Sequence, residues 1–196
     1  MVVSIEKDLK VPFYGFYIRA KTKTEQRQHL AEQALSWLHV QKMRGAHGAL
    51  LYDIDDTIID GNEAVQHGFQ FMKTLYNEAS LMYPIHIVTA RPDDNHGVVM
   101  QMLQKKGFCI PPDRLHMLPA HLWGKDYKYV EEFKWKCFVK IGALHGGVVA
   151  RFGDKLWDVA HLDSLHSYLG HIKDKDCYVF LDPKLKGTFS GKLPGA

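Results

Sequence analysis

The spacing of apolar residues alternates along the chain between short continuous runs and runs with a helical period. The short runs predict β-strands at 49–53, 85–88, 114–117, 148–152 and 177–181. The helical runs lie between them, at about 62–80, 95–106, 130–144 and 162–169. Because strands separated by helices pair in parallel, we predict an α/β protein. Its expected form is a Rossmann-like three-layer α/β/α sandwich around a mainly parallel five-stranded sheet.

The two ends of the chain are predicted to differ from the central domain, residues 45–182. Residues 1–44 form an arm and a helix packed on the core, in which Thr22 and Glu25 match a capping box. The arm sequence VPFYGFYI fits either a short strand or a packed loop. Residues 183–196 are rich in Gly, Lys and Pro, so we expect a loose tail over the surface.

Composition and charge narrow the class of protein. The chain has 196 residues, 46% hydrophobic and 24% charged, which fits one soluble globular domain. A net charge of +3 permits an anionic substrate but lacks the concentrated basic stripe typical of nucleic-acid binders. Three scattered cysteines indicate reduced thiols, and the chain shows no secretory signal or transmembrane run. We therefore expect a cytoplasmic protein without membrane contact.

Polar residues follow three of the predicted strands at their C-terminal ends: Asp53, Thr89 and Asp154. In an open parallel sheet, ligands bind at that edge. We therefore expect these three residues, although far apart in sequence, to converge on one crevice.

The segment LLYDIDDTIID places Asp53 and Asp55 just past the end of a strand. A turn there would direct both carboxylates into one pocket, and two adjacent acids repel unless a cation or phosphate chemistry uses them. The alternative is a structural turn in which Asp55 or Asp56 caps the following segment. The pair alone does not decide between these interpretations.

Two motifs precede the middle of the chain. The first is an apolar strand followed by DxDxT, which Asp53, Asp55 and Thr57 satisfy. The second is an apolar strand that ends in a hydroxyl residue, which is met by Thr89 in IHIVTAR. They stand in the order in which adjacent parallel strands would place them at one sheet edge.

Two more motifs follow in order: Lys134 in a helical segment, EEFKWKCF, and the acids Asp154 and Asp158 in RFGDKLWD. The ordered set of four resembles the haloacid dehalogenase (HAD) superfamily of phosphohydrolases, over roughly residues 45–182. The resemblance implies a HAD-like catalytic domain in that region. The phrases DIDDT, TARP, GDKLWD and FSGKLP are most similar to the acid-phosphatase-like branch.

The gaps between motifs are too short for the inserted cap domain that many HAD enzymes carry. The gap 57–85 has room for one helix, and the gap 91–134 for a helix, a short strand and a loop. The chain thus resembles the capless or minimally capped members. The first 45 residues either cover the active site or only pack against the sheet.

The resemblance implies a two-step phosphatase reaction. Asp53 attacks phosphorus to form an aspartyl-phosphate, and Asp55 protonates the leaving oxygen and then activates water. The cofactor is Mg²⁺, held by Asp53, the Asp55 carbonyl and Asp154, with Asp158 supporting the metal through water or a neighbouring ligand.

The same resemblance implies the groups that bind the phosphoryl oxygens. The Thr89 hydroxyl and the amides around Ile54 and Ala90 donate hydrogen bonds, and Lys134 balances the charge. Arg91 follows the second motif, so it either contacts the substrate or forms a salt bridge that shapes the loop.

The predicted function is a Mg²⁺-dependent phosphomonoester hydrolase that acts on a small molecule or on a macromolecular end. One alternative is a phosphatase of polynucleotide 3′ ends or of phosphoproteins, which makes nucleic acid a possible substrate. The other is a HAD-fold binding protein without turnover, although such a protein has no physical reason to keep a costly cluster of acids. The sequence predicts no oligomeric state.

Overall fold

Seven strands and five α-helices lie in residues 14–18, 22–59, 69–159, 177–182 and 188–194, the part of the chain that the computed structural model describes. The strands are β1 Tyr14–Tyr17, β2 Ala49–Tyr52, β3 Ile85–Pro92, β4 Leu115–Leu118, β5 Val148–Gly153, β6 Tyr178–Asp182 and β7 Thr188–Lys192. The helices are α1 Lys23–Met43, α2 Phe69–Ser80, α3 His96–Lys105, α4 Tyr127–His145 and the short α5 Leu156–Val159.

The strands form one sheet in the order β1-β6-β7-β5-β2-β3-β4. Strand β2 lies between β3 and β5 and is parallel to both, and the pairs β3–β4 and β5–β7 are also parallel. Strand β6 is antiparallel to β7 and to β1. The α/β class and the mainly parallel sheet are confirmed. The predicted count of five strands is wrong, because β1 and β7 extend the sheet to seven within the described residues.

The expectation of a loose tail is wrong for Thr188–Lys192, which forms the fully buried strand β7 between β5 and β6. The Thr188 hydroxyl donates to the carbonyl of Val148 at 2.7 Å. A Cβ at Gly191 would lie 3.0 Å from the Phe152 ring. The glycine that made the segment look flexible therefore allows a close approach inside the sheet.

Within the described residues, one hydrophobic core lies on each face of the sheet, as expected for three layers. In β2, Leu50 and Tyr52 contribute to the core shared with α1, α2 and α3. Ala49 and Leu51 point the other way and pack with residues of α4 such as Ile141. Alternation along a strand explains this division. It also directs Asp53, the next residue, toward the α4 side.

Helix α1 begins with the predicted capping box, which is confirmed: the Thr22 hydroxyl accepts from the Glu25 amide at 3.1 Å, and Glu25 accepts from the Thr22 amide. Its residues Leu30, Ala34 and Leu38 are fully buried in the larger core. None of the described helices has the length and apolar character that crossing a bilayer requires.

Several predictions concern residues outside the described ranges. These are the helix at 162–169, the first turns of the helix predicted from 62, and residues 1–13 of the arm. The described part of the second helix, α2, ends at Ser80 as predicted.

Three histidines, from β3, β4 and the C-terminal end of α4, form a hydrogen-bonded row. His86 of β3 lies between His116 of β4 and His145 at the end of α4, with a ring nitrogen 2.9 Å from each neighbour. Each hydrogen bond needs one N–H and one bare nitrogen, so three neutral rings can complete the row. Burial, followed by the charges of His116 and His145, lowers the pKa of His86 to about 4.

The row should make stability depend on pH. Between pH about 6.5 and about 4 an unfolded His86 binds a proton that the folded one does not, so the free energy of unfolding decreases as pH falls through this window. We expect this contribution to be about 2 kcal/mol, allowing for some solvent screening. Urea denaturation at pH 7.5 and pH 4.5 measures it.

His86→Gln should show a smaller loss of stability between these two pH values than the wild type. Comparing the two proteins cancels the contributions of other groups, including Asp113, Arg114 and Lys140, which act on the row. Equal losses in the two proteins would contradict a titrating role for His86.

Candidate active site

Three carboxylates meet at the C-terminal edge of the sheet. Asp53 follows β2, Asp154 follows β5 and Asp158 lies in α5, and each offers an oxygen within 4.8 Å of the others. The strands β2 and β5 are parallel neighbours, with Tyr52 opposite Phe152, so their ends lie side by side. Asp53 and Asp154 are buried.

A compact turn follows β2 and positions Asp53 and Asp55. The Asp53 amide donates to the Phe152 carbonyl at 2.9 Å, which continues the parallel pairing to the sheet edge. The Ile54 carbonyl accepts from the amides of Ile58 and Ile59 at 3.0 Å each, and Asp56 takes a left-handed conformation with φ 52°. Aspartate tolerates this conformation better than most residues, which explains its place at the bend.

A second turn brings Asp158 back against the end of β5. An added Cβ at Gly153 would collide with the Cβ of Asp158, so only glycine fits at this strand end. The Lys155 amide donates to Oδ2 of Asp158 at 3.0 Å, which fixes the carboxylate. The spacing between Asp154 and Asp158 therefore follows from one tight loop.

Lys134 reaches this cluster from α4. Its Nζ donates to Oδ1 of Asp53 at 2.7 Å and also contacts Oδ1 of Asp158. Only 7% of its side chain is exposed. Burial alone would lower the pKa of Lys134, but Asp158 and Asp53 outweigh it and raise the pKa, so the ammonium stays charged. The structure thus places Lys134 beside Asp53, the predicted nucleophile.

Burial governs the protonation of the acids. It raises the pKa of Asp53 to about 8, against the opposing effect of Lys134. It raises the pKa of Asp154 to about 6, and the neighbouring Asp158 adds to this effect. A cation that binds these oxygens would stabilise the ionised forms.

The donor set fits a divalent metal ion. Three carboxylates face Lys134 and the partly exposed Lys155, whose Nζ is 3.4 Å from Oδ2 of Asp154. Even when the positive charge of Lys134 is included, the buried cluster carries a net negative charge. Hard divalent cations prefer carboxylate oxygens of this kind. Among the described residues, Asp53, Asp154 and Asp158 could therefore hold such an ion. The parts assigned to the Asp55 carbonyl and to Asp158 as a supporting group stay predictions.

Asp55 points to a different partner, Arg91. Nη2 of Arg91 lies 2.6 Å from Oδ1 of Asp55, and Nε lies 3.1 Å from Oδ2. The Asp55 side chain is 45% exposed and that of Arg91 30%. Of the two interpretations left open for Arg91, the structure contains the salt bridge. Contact with a substrate stays a prediction.

Thr89 is fully buried within β3. Its Oγ1 accepts the Arg91 amide at 3.2 Å, so the hydroxyl proton remains for another acceptor. The β3–β4 register shifts between Thr89 and Pro92, which bends the strand at this point. The roles predicted for the amides near Ile54 and Ala90 stay predictions.

Sequence reasoning missed two contributors to the site. At the level of the sequence, Gly153 has no assigned role, and the partner of the Arg91 salt bridge stays open. For the glycine, its position directly before the fourth-motif acid was the available signal. For the arginine, no spacing rule connects residues that are 36 positions apart.

Comparisons with known proteins add little to this geometry. No model of a protein family matches the sequence, and no curated protein matches it. Among solved structures, the chain is similar to the class C acid phosphatase from Bacillus anthracis. The identity is 12% and the TM-score 0.42, over 69% of this chain and 71% of that chain. A likeness at this level says nothing about activity.

Proposed function

We propose that this protein is a Mg²⁺-dependent phosphomonoester hydrolase of the HAD type that forms an aspartyl-phosphate on Asp53. One observation carries the proposal: the Asp53 carboxylate belongs both to the pair with Lys134 and to the cluster with Asp154 and Asp158. A carboxylate that lies between an ammonium group and a cation-binding site can stay ionised, and it can approach a phosphate anion without prohibitive repulsion.

In the first step, an oxygen of Asp53 bonds to phosphorus as the bond to the leaving oxygen breaks. Asp55 gives the leaving oxygen its proton. In the second step, Asp55 takes a proton from water, whose oxygen attacks phosphorus, and Asp53 leaves as a carboxylate. The products are the alcohol and inorganic phosphate. A Mg²⁺ ion held by Asp53, Asp154 and Asp158 would supply positive charge against the phosphoryl oxygens.

Two further side chains prepare the site for the phosphoryl group. The Lys134 ammonium is already fixed by two carboxylates, so it needs no reorganisation as charge moves. The Thr89 hydroxyl is held by the Arg91 amide and can donate its proton to a phosphoryl oxygen. Donors fixed in advance of this kind are worth about 3 kcal/mol each in a transition state.

Activity and its metal dependence test the proposal. We expect purified protein to release p-nitrophenol from p-nitrophenyl phosphate in Mg²⁺. EDTA should reduce the rate at least about 100-fold, because several kcal/mol of charge stabilisation would be lost. Added Mg²⁺ should restore it. Absence of turnover with every divalent cation tried would overturn the proposal and favour the non-catalytic binding protein.

Metal binding can be measured apart from activity. Mg²⁺ at about 100 times its Kd should raise the free energy of unfolding by about 2.7 kcal/mol, because it binds only the folded chain. Thermal unfolding with and without Mg²⁺ measures this gain. Asp154→Asn should lose most of it, whereas Asp94→Asn, an exposed control in the 3-10 turn after β3, should keep it. A gain that survives Asp154→Asn would place the ion elsewhere.

A further inference from the structure

Arg91 connects three parts of the site through separate atoms. Nε and Nη2 both bond to the Asp55 carboxylate, and Nη1 lies 3.4 Å from the sulfur of Met102 in α3. The Arg91 backbone amide donates to the Thr89 hydroxyl. Every nitrogen of the guanidinium therefore has a partner within the protein.

The two parallel bonds fix the plane of the Asp55 carboxylate. A fork of two N–H groups against two oxygens sets direction as well as distance, which a single ammonium cannot do. The hydrogen bond to Asp55 is the main reason that the pKa of Arg91 is raised. Both side chains are partly exposed, so the pair contributes little to the free energy of unfolding. Stability therefore does not explain why the two side chains are paired so specifically.

We infer that Arg91 is a positioning residue, which holds Asp55 in the rotamer that delivers a proton to the leaving oxygen. The inference rests on the proposed function, in which Asp55 is the acid and base. It differs from the alternative in which Arg91 contacts the substrate itself. Three of the five guanidinium N–H groups already face Asp55 and Met102, so a phosphate could bind only the two that remain.

The two roles differ in how they depend on the leaving group. p-Nitrophenolate is a stable anion that departs without a proton, whereas an alkoxide must be protonated as it leaves. A misdirected Asp55 therefore slows phosphoryl transfer from an alkyl phosphate and spares p-nitrophenyl phosphate. A lost phosphate contact would weaken both substrates alike.

The experiment compares kcat/KM for p-nitrophenyl phosphate and glycerol 2-phosphate, because this ratio excludes the later hydrolysis of the aspartyl-phosphate. For Arg91→Gln we expect a fall of about 100-fold with glycerol 2-phosphate and less than about 5-fold with p-nitrophenyl phosphate. Arg91→Lys should lie between wild type and Arg91→Gln. Arg44→Gln, an exposed arginine at the end of α1, should match wild type.

A second readout follows from the base role of Asp55. With p-nitrophenyl phosphate, Arg91→Gln should show a lower kcat and a proportionally lower KM, with a burst of p-nitrophenol, because intermediate hydrolysis becomes limiting. A phosphate-binding role would raise KM. The double variant Arg91→Gln/Asp55→Asn should be no slower than Asp55→Asn, since both changes disable the same group.

The outcomes separate this inference from the proposed function. Equal losses on both substrates, a raised KM, or additive effects in the double variant would overturn the positioning role alone. If phosphate release required neither Asp53 nor a divalent cation, the proposed function would be overturned, and the inference with it.

Discussion

Asp53→Asn is expected to lose phosphate release by at least about 10⁴-fold while the protein stays folded. An amide has the size of the carboxylate but cannot form the bond to phosphorus, and removing a nucleophile of this kind costs about 10⁴- to 10⁶-fold. The fold should survive, because Lys134 keeps Asp158 as a partner and a neutral amide avoids the cost of burying a charge, which is the main reason that the pKa of Asp53 is raised. Phosphate release and thermal unfolding measure the two effects.

Asp56→Asn is the matched control for Asp53→Asn. It makes the same chemical change three residues away, at the bend with φ 52°, where asparagine is also accepted. We expect nearly wild-type rates. More than about 1% residual activity in Asp53→Asn, well above the level that nucleophile loss leaves, would contradict the covalent mechanism.

Lys134→Met is expected to reduce both stability and activity. Without the ammonium, the buried carboxylates of Asp53 and Asp158 face each other with no countercharge, and breaking a buried pair in this way costs about 3–5 kcal/mol. Urea denaturation in EDTA measures this loss. Mg²⁺ should restore part of it by neutralising the same oxygens, while kcat should stay about 10²- to 10³-fold low.

Lys136→Met, two residues further along α4, is the control for Lys134→Met. Lys136 is 72% exposed and pairs with Glu132, so its loss should change stability by less than about 0.5 kcal/mol. If both variants were equally stable in EDTA, Lys134 would not be the countercharge of the cluster.

The fold was predictable where strands are continuous apolar runs. Strand β2 is of this kind, and β3 to β5 are mostly apolar, with polar exceptions such as His86, His116 and Arg151. Strand β7 was missed because Thr188–Lys192 holds one large apolar residue, Phe189. Its burial depends on Phe152 and on Leu30 of α1, which lie far away in sequence. Tertiary packing overrides local composition at such a strand.

The site was predictable where a residue's role follows from its place at a strand end. Asp53 and Asp154 meet because β2 and β5 are neighbours, and parallel-sheet geometry already implies this. The contact of Lys134 with both acids depends on how α4 lies across the sheet, which no periodicity specifies. The partner of Asp55 was not predictable for the same reason, since Arg91 lies on another strand, β3.

The position of β7 has a consequence for biosynthesis. One edge of β5, the strand that carries Gly153 toward the acids, is completed by residues 188–192. A nascent chain that has exposed everything before them presents an unpaired parallel edge, open to pairing with other chains. Residues 188–192 must therefore leave the ribosome before β5, whose end precedes Asp154, is paired along both of its edges. Nearby chaperones would protect the chain during that interval.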